Sequence, residues 1–282
     1  MIAPFFSIIT PIYNGEKFIY RFYNSLISQD FSNWECLLID DCSIDRSKII
    51  LEEICLKDKR FSLFSTNNYS IGRLRTPSFA RNIGLKNARG DFLCFLDIDD
   101  FWLKDKLRND FVAIKSNTNI DLFISNYFVY NINTKDSYLK PRLKFINLKI
   151  QSYFWNPVPM LTVAVRRKIV RNITFQEINH EDYIFWFNVL KSIKTDSIKE
   201  LKHASSVYVS NRTSLSSNKL KVLSWWIKCF KMIGHNILIC YFLLLVKIFS
   251  TFIELLLNKL DVFSKLKNID NVLEKNEFQT NN

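Results

Sequence analysis

The chain reads as an α/β protein whose mostly parallel sheet carries helices on both faces. Three observations point there. Over the first hundred residues, short apolar runs alternate with stretches of helical periodicity, the order of a sheet built from strand–helix–strand units. The runs are apolar at consecutive positions, which suits strands buried on both faces. Three of them end in polar clusters: TPIYN at 10–14, DDCS at 40–43 and DIDD at 97–100. In open parallel sheets that is the edge where ligands bind.

In chain order, Phe5–Thr10 predicts a strand ended by Pro11, and Lys17–Ser28 a helix with Phe18, Phe22 and Leu26 on one face. Glu35–Ile39 is a strand, Ser47–Leu56 a helix, Phe61–Ser65 a strand, Pro77–Ala88 a helix and Asp91–Leu96 the fourth strand. Further on, Leu122–Tyr130 and Leu161–Val165 are strand-like, residues 131–150 form a basic loop, and Glu181–Leu190 is a helix after QEINH. No internal repeat occurs.

The character changes near Ser214–Asn218, so residues 1–215 are expected to form the main domain and 216–282 a basic helical extension with a polar tail from Asn268. Between Lys219 and Ile233, Lys221, Ser224, Lys228 and Lys231 share one helical face, with Trp226, Ile227, Phe230 and Ile233 on the other. Ile237–Leu257 is strongly apolar but interrupted by Lys247 and Glu254; a membrane span needs about 20 apolar residues. A basic amphipathic helix with aromatics on its apolar face fits a membrane interface first. A helical pair packed on the main domain comes second, and a true span third.

Of the 282 residues, 48% are hydrophobic and 25 are Phe, which excludes disorder over most of the length. The net charge of +12 is lopsided: residues 1–110 hold 15 basic and 15 acidic residues, leaving 24 against 12 beyond. The later half therefore expects an anionic partner surface, membrane or nucleic acid. The six cysteines form no CxxC pair and several sit in apolar runs, pointing to a reducing compartment without disulfides or zinc. MIAPFFSIITPIYNG, without basic residues or a small-residue cleavage site, reads as a first strand rather than a signal peptide. With five glycines and no GxGxxG, P-loop or GxSxG, dinucleotide, P-loop and nucleophile-elbow chemistries are set aside. His180, His203 and His235 show no metal spacing.

Acids carry the candidate chemistry. Asp97 and Asp99, two apart at a strand end, project to one side, and such oxygen ligands suit Mg²⁺ or Mn²⁺. The plain alternative is an acidic turn in which Asp100 and Asp105 meet a helix dipole; the position at the ligand edge favours the metal. Asp40 and Asp41 either face a nucleotide or feed a turn in which Ser43 or Asp45 caps the next helix. Glu181 and Asp182 open an apolar helix, where acids are favoured by the dipole alone; the functional alternative is a general base in the cleft. Arg73, Arg75, Arg81 and Arg89, before the fourth strand, either meet phosphate oxygens or keep a helix soluble.

Together, SIITPIYNGEKFIYRFYNSLISQDFSNWECLLIDDCSID, ARNIGLKNARGDFLCFLDIDD and HEDYIFW, in that order and spacing, resemble the family-2 glycosyltransferases of GT-A fold. The resemblance is nearly continuous over residues 5–107 and resumes over about 156–190. It implies a GT-A catalytic domain over 1–215, followed by a C-terminal α-helical membrane-associating extension. It places Pro11, Tyr13 and Asp41 around the nucleotide base, with Tyr13 stacking on it, and Arg81 and Asn82 along the nucleotide side of the cleft. Asp97 and Asp99 match the motif for ribose, diphosphate and metal, with Asp97 on the donor, Asp99 a metal ligand and Asp100 a candidate further ligand. Asp182 falls on the catalytic base, supported by Glu181.

The implied reaction is an inverting single displacement from a nucleoside-diphosphate sugar, expected to be a UDP-sugar, aided by Mn²⁺ or Mg²⁺. Two departures stand out. YVSNRTSLS at 208–216 has Val209 and Asn211 where many relatives carry Arg and His, with Arg212 a candidate substitute. The QxxRW motif of processive synthases is absent, so addition of one sugar is expected. LTVAVRRKIV ahead of HEDYIFW is similar to relatives that build bacterial surface polysaccharide or lipopolysaccharide. The expected partners are thus the donor, a lipid-linked saccharide acceptor and an anionic membrane surface, without nucleic acid. The expected location is cytoplasmic, peripheral on the inner face of the plasma membrane. The rival reading is a non-catalytic basic protein on the same scaffold that binds membrane or nucleic acid. It explains the charge asymmetry but leaves the strand-end acids without a role.

Overall fold

The first half alternates β1 (Phe6–Ile12), α1 (Ile19–Ile27), β2 (Trp34–Asp40), α2 (Ser47–Lys57), β3 (Phe61–Ser65), α3 (Ser78–Asn87) and β4 (Phe92–Phe95). The four strands run parallel in the order β3-β2-β1-β4. β2 and β4 are buried at every position, and β1 at all but Pro11. Alternate β1 residues feed two cores: Phe6, Ile8 and Ile12 pack with α1 and α2, and Ile9 with α3 on the other face. The computed structural model describes residues 3–66, 76–140, 147–210 and 219–259.

β1 does not stop at Pro11, as expected from the sequence, but runs through it to Ile12. Ile9 O accepts the Leu96 N–H on the β4 side, and Ile12 O accepts the Asp41 N–H on the β2 side. Alternation therefore aims Pro11 towards β4, whose pairing with β1 has already ended at Ile9. The missing proline N–H costs nothing where no partner strand remains. Gly84 sets the approach of α3: a Cβ there would stand 2.4 Å from Ile9 Cγ2. The close packing draws Arg81, one turn earlier, over the ends of β1 and β4.

The second half contains β5 (Phe101–Trp102), α4 (Lys106–Lys115), β6 (Leu122–Asn131), β7 (Ser137–Lys140), α5 (Leu148–Gln151), β8 (Val163–Arg166), α6 (Glu181–Ser192), β9 (Ile198–Ser210), α7 (Lys219–Ile233) and α8 (Ile237–Lys259). It extends the sheet as β4-β8-β6-β9-β5, with β7 pairing β6. β8 is antiparallel to both β4 and β6, so the sheet becomes mixed after β4. Antiparallel neighbours need no helical crossover. β5, β7 and β9 had no counterpart in the sequence reading. β9 alternates burial irregularly, with Lys199, Glu200, Lys202 and His203 within it, which hides its strand signal. β7 and the start of α5 fall inside the stretch expected to be loop.

α7 and α8 form a hairpin packed on α6. Tyr183 and Ile184 of α6 join Trp226, Cys229 and Phe230 of α7 and Cys240, Leu243 and Leu244 of α8 in a third apolar cluster. Packing on the main domain, placed second from sequence, is therefore what the hairpin does. Among the described residues no helix is long and apolar enough to cross a membrane. The expected boundary at 215–216, Arg73, Arg75, Asn211, Arg212 and the tail from Asn268 lie outside the described residues. All six cysteines are free thiols.

Candidate active site

The strand order reverses between β1 and β4, and the crevice beyond that switch point is the ligand edge of an open parallel sheet. A cleft of about 280 Å³ lies there. Pro11 and Ile12 at the end of β1, with Tyr13 after it, form one wall, and Asp97, Ile98 and Asp99 after β4 the other. Asp41 closes the β2 side, while Thr76, Pro77 and Arg81 at the start of α3 complete the rim.

The loops behind these walls are bonded to each other. Asn14 N donates to Ser43 Oγ at 3.0 Å, Ile44 N to Asn14 Oδ1 at 2.9 Å, and Gly15 N to Ser47 Oγ at 2.8 Å. Asn14 and Cys42 take left-handed backbone angles (φ 50° and 61°) to make the paired turns. Thr66 Oγ1 donates to Asp41 Oδ1 at 2.5 Å, orienting that carboxylate. Asp45, by contrast, serves the backbone, accepting from Ser47 N and Glu16 N.

Arg81 is the hub. It is 4% exposed, donating through Nη2 to Asp97 Oδ1 at 2.7 Å and through Nη1 to Glu181 Oε1 at 2.5 Å. Burial works against its charge, but Asp97, Glu181 and Asp182 outweigh burial and raise its pKa. The guanidinium also lies 5.5 Å from the centroid of Phe175, which stacks on Phe185 at 3.9 Å. This bridge ties Asp97 at the cleft to the first turn of α6. Glu181 is buried, and burial raises its carboxyl despite Arg81. Asp182, the next residue, accepts a hydrogen bond from Asn156 Nδ2 at 2.8 Å; Asn156 Oδ1 in turn accepts from Val158 N at 3.1 Å.

The acid run divides. Asp99 stands exposed at the cleft, where surrounding protein and then the Asp97 charge raise its pKa. Asp100 turns the other way: it is buried, and its Oδ1 accepts from Val209 N of β9 at 2.8 Å. Burial, then Asp99 and Asp97, hold its carboxyl well above the ordinary range. Arg21 of α1 backs the cluster, donating to Asp99 O between the rings of Phe18 and Phe101. Among the described residues no three His, Cys, Asp or Glu are grouped to hold a metal. The protein offers a cation the two carboxylates at the cleft, Asp97 and Asp99. That donor set fits Mg²⁺ or Mn²⁺, hard ions that complete their shells with water and substrate phosphates.

A family model described as Glycosyl transferase family 2 matches residues 7–174, more than half of the chain. This chain belongs to glycosyltransferase family 2. A glycosyltransferase of Haemophilus influenzae is 36% identical over 225 residues, 80% of this chain and 87% of that protein. The UDP-Glc:alpha-D-GlcNAc-diphosphoundecaprenol beta-1,3-glucosyltransferase WfgD of Escherichia coli is 33% identical over 218 residues, 77% of this chain and 81% of that one. Among solved structures, Staphylococcus aureus TarS 1–349 in complex with UDP-GlcNAc superposes with a TM-score of 0.64 at 22% identity, covering 85% of this chain and 70% of that chain. The mannosyltransferase PcManGT of Pyrobaculum calidifontis, in complex with GDP-Man and Mn²⁺, gives 0.58 at 17% identity, covering 86% and 70%. These likenesses establish a GT-A-like α/β fold.

Of the residues this family-2 glycosyltransferase was expected to use, Pro11, Tyr13, Asp41, Arg81, Asp97 and Asp99 line one cleft. Arg81 brings Glu181, and with it Asp182, alongside. Two lie elsewhere. Asn82 neither lines the cleft nor faces it: its Nδ2 donates to Phe175 O and its Oδ1 accepts from Phe175 N, both at 2.8 Å. One step along a helix turns a side chain by about 100°, so Asn82 cannot share the outlook of Arg81; it holds the Phe175 ring under it. Asp100 faces β9, where Val209 supplies a backbone N–H. Arg89 is also away from the cleft, paired with buried Glu35. Arg21, Thr66 and Asn156 were missed; each reaches its partner across 25 to 78 residues, with no local pattern to mark it.

Proposed function

We propose that this glycosyltransferase moves one hexose or N-acetylhexosamine from a UDP-sugar to a hydroxyl of a lipid-linked bacterial surface glycan, inverting the anomeric centre. The observation that carries the reading is the Arg81 bridge from Asp97 in the cleft to Glu181, the chain neighbour of Asp182. The names of the relatives support the substrates: WfgD uses UDP-Glc and a GlcNAc-diphosphoundecaprenol acceptor, and TarS holds UDP-GlcNAc. The excess of basic residues after residue 110 supports work at an anionic membrane surface on the cytoplasmic side. Residues 1–215 are the catalytic domain in this reading and 216–282 its extension.

Tyr13 stacks on the base, flanked by Pro11 and Asp41, while Asp97 orients the ribose and diphosphate and Arg81 holds Asp97. Asn156 occupies Asp182 Oδ2, leaving Oδ1 for the acceptor. Asp182 takes the hydroxyl proton as the acceptor oxygen bonds to the anomeric carbon from the face opposite the leaving group. The bond from that carbon to the nucleoside diphosphate breaks in the same step, without a sugar–enzyme intermediate. Asp97 and Asp99 are the residues that would hold a divalent cation, which would supply neutralisation of the charge on the departing diphosphate.

The test is a panel of UDP-sugars with Mn²⁺ or Mg²⁺ and a GlcNAc-diphosphate lipid acceptor, following UDP release and the configuration of the new linkage. Asp182→Asn is expected to lower kcat by about 10²–10⁴ with UDP affinity kept. Asp99→Ala is expected to abolish the metal dependence of UDP binding. Full turnover in both variants sinks the assignment.

A further inference from the structure

The stretch VRRKIVR at 165–171 has no part in the cleft. Its basic side chains line a second cavity of about 780 Å³ at the opposite edge of the sheet, where β4 begins and β8 ends. Asn82 and Lys86 of α3 face the same cavity, as does Thr174. Lys86, Arg166, Arg167, Lys168 and Arg171 all line it, against one acid among its lining residues, Asp91.

Exposed basic side chains usually do no more than stay solvated, and their ion pairs contribute little. Here they are gathered in a recess, whose low-dielectric walls concentrate their field. The protein answers only part of that charge. Arg166 is engaged by its surroundings: Nε donates to Asp121 Oδ1 at 2.9 Å, and Nη2 to Thr118 O and Ile120 O. Lys168 lies 3.7 Å from the same Oδ1. Arg167 donates through Nε to Gly90 O at 2.8 Å. Lys86 and Arg171 are exposed and have no ion pair among the described residues. The guanidinium forks of Arg167 and Arg171 match the oxygens of a phosphate group.

The cavity also backs onto the Arg81 hub. The Asn82 amide that lines it bonds both backbone groups of Phe175, whose ring lies under the Arg81 guanidinium. Lys86 stands one turn beyond Asn82 on the same face of α3, and Arg171 four residues before Phe175. An anion held by Lys86 and Arg171 therefore braces the two segments that Asn82 already clamps. The rim does not suit a lipid: none of the lining residues is an exposed large apolar side chain, so nothing there enters a bilayer.

We propose that this second cavity is an effector site for a small soluble molecule bearing phosphate groups, and that its occupation tightens nucleotide binding in the cleft by steadying Phe175 under Arg81. Lys86, Arg167 and Arg171 contact the phosphates, while Arg166 stays fixed against Asp121. Reciprocity requires that the nucleotide tighten the effector by the same factor. The inference goes beyond the transfer reaction proposed above and rests on it only for the choice of UDP as the nucleotide.

The experiment is calorimetry on the full chain with fructose 1,6-bisphosphate as the probe, since two separated phosphates suit separate cations. Wild type is expected to bind it, and Lys86→Gln/Arg171→Gln to lose about 10²-fold in affinity, as for two charge-assisted contacts. Lys48→Gln/Lys57→Gln, which removes equal charge from exposed positions on α2, is expected to match wild type. With the probe saturating, UDP is expected to bind wild type about fivefold more tightly and the Lys86→Gln/Arg171→Gln variant no more tightly than without it. The affinity of that variant for UDP alone should equal wild type's, which shows that its fold and cleft are intact. Competition of the probe for the cleft has the opposite sign, weakening UDP in both proteins. Such competition, an equal loss of probe affinity in the two double variants, or probe binding that leaves UDP affinity unchanged overturns the proposal. So does flotation with phosphatidic acid vesicles that requires Lys86 and Arg171 while the soluble probe does not bind. Failure of the proposed donor looks different: UDP does not bind wild type, while the probe still does and still requires Lys86 and Arg171.

Discussion

Arg81→Gln would remove the charge that joins the cleft to α6 while keeping a hydrogen-bonding side chain. Arg81 is 4% exposed, bonding Asp97 at 2.7 Å and Glu181 at 2.5 Å. The two partners are not equally at risk. The Asp97 side chain is 36% exposed, so water replaces the guanidinium, whereas that of Glu181 is 10% exposed and becomes an uncompensated buried carboxylate. Breaking a buried pair from one side costs about 3–5 kcal/mol, and most of it here belongs to Glu181. The pH dependence has a definite sign. Burial already raises the Glu181 carboxyl, and losing Arg81 raises it further. A folded carboxyl that keeps its proton to higher pH than the unfolded chain loses stability as pH rises through that interval. Urea unfolding should therefore show a larger loss at pH 8 than at pH 5. Adding Glu181→Gln should return stability to within about 1 kcal/mol of wild type, the residual expected of a neutral hydrogen-bonded pair. A loss at pH 8 that is no larger than at pH 5, or that Glu181→Gln leaves in place, would refute the charge-compensation reasoning.

Three further outcomes are expected. Lys106 and Asp110 form a fully buried ion pair beside His203 and Trp102, so Lys106→Met should cost about 3–5 kcal/mol in urea unfolding, and Lys106→Met/Asp110→Leu less. Asn82→Ala strips both backbone partners from Phe175; a loss of about 1–3 kcal/mol should come with weaker UDP binding by calorimetry, because the ring under Arg81 loosens. Burial pushes the Cys94 thiol up to about 12, so a thiol reagent at pH 8 should label it only after unfolding. Above pH 9 the unfolded thiol ionises before the folded one, so stability falls towards pH 12, and Cys94→Ala should flatten that decline by up to about 4 kcal/mol.

What could be read from the chain is what a short window contains. Consecutive apolar residues in β1, β2 and β4 announce burial on both faces, and that pattern already requires the helices that cover them. Because those strands are parallel, their carboxyl ends share an edge, so acids 56 residues apart, Asp41 and Asp97, were legible as one site. β9 was not, since its half-buried pattern mixes charged and apolar residues without a clean period.

The sequence by itself determined the parallel half of the sheet, the place where its strands stop and the acids waiting there. Only the tertiary structure decided what each of those groups faces. Asp99 and Asp100 are neighbours with the same side chain, yet one opens to the cleft and the other is drawn to Val209 N, 109 residues away. Arg81 and Asn82 are likewise adjacent, and one reaches Glu181 across 100 residues while the other clamps Phe175 across 93. A side chain's type and spacing are local properties, but its partner is set by how helices and strands far apart in the chain come to pack.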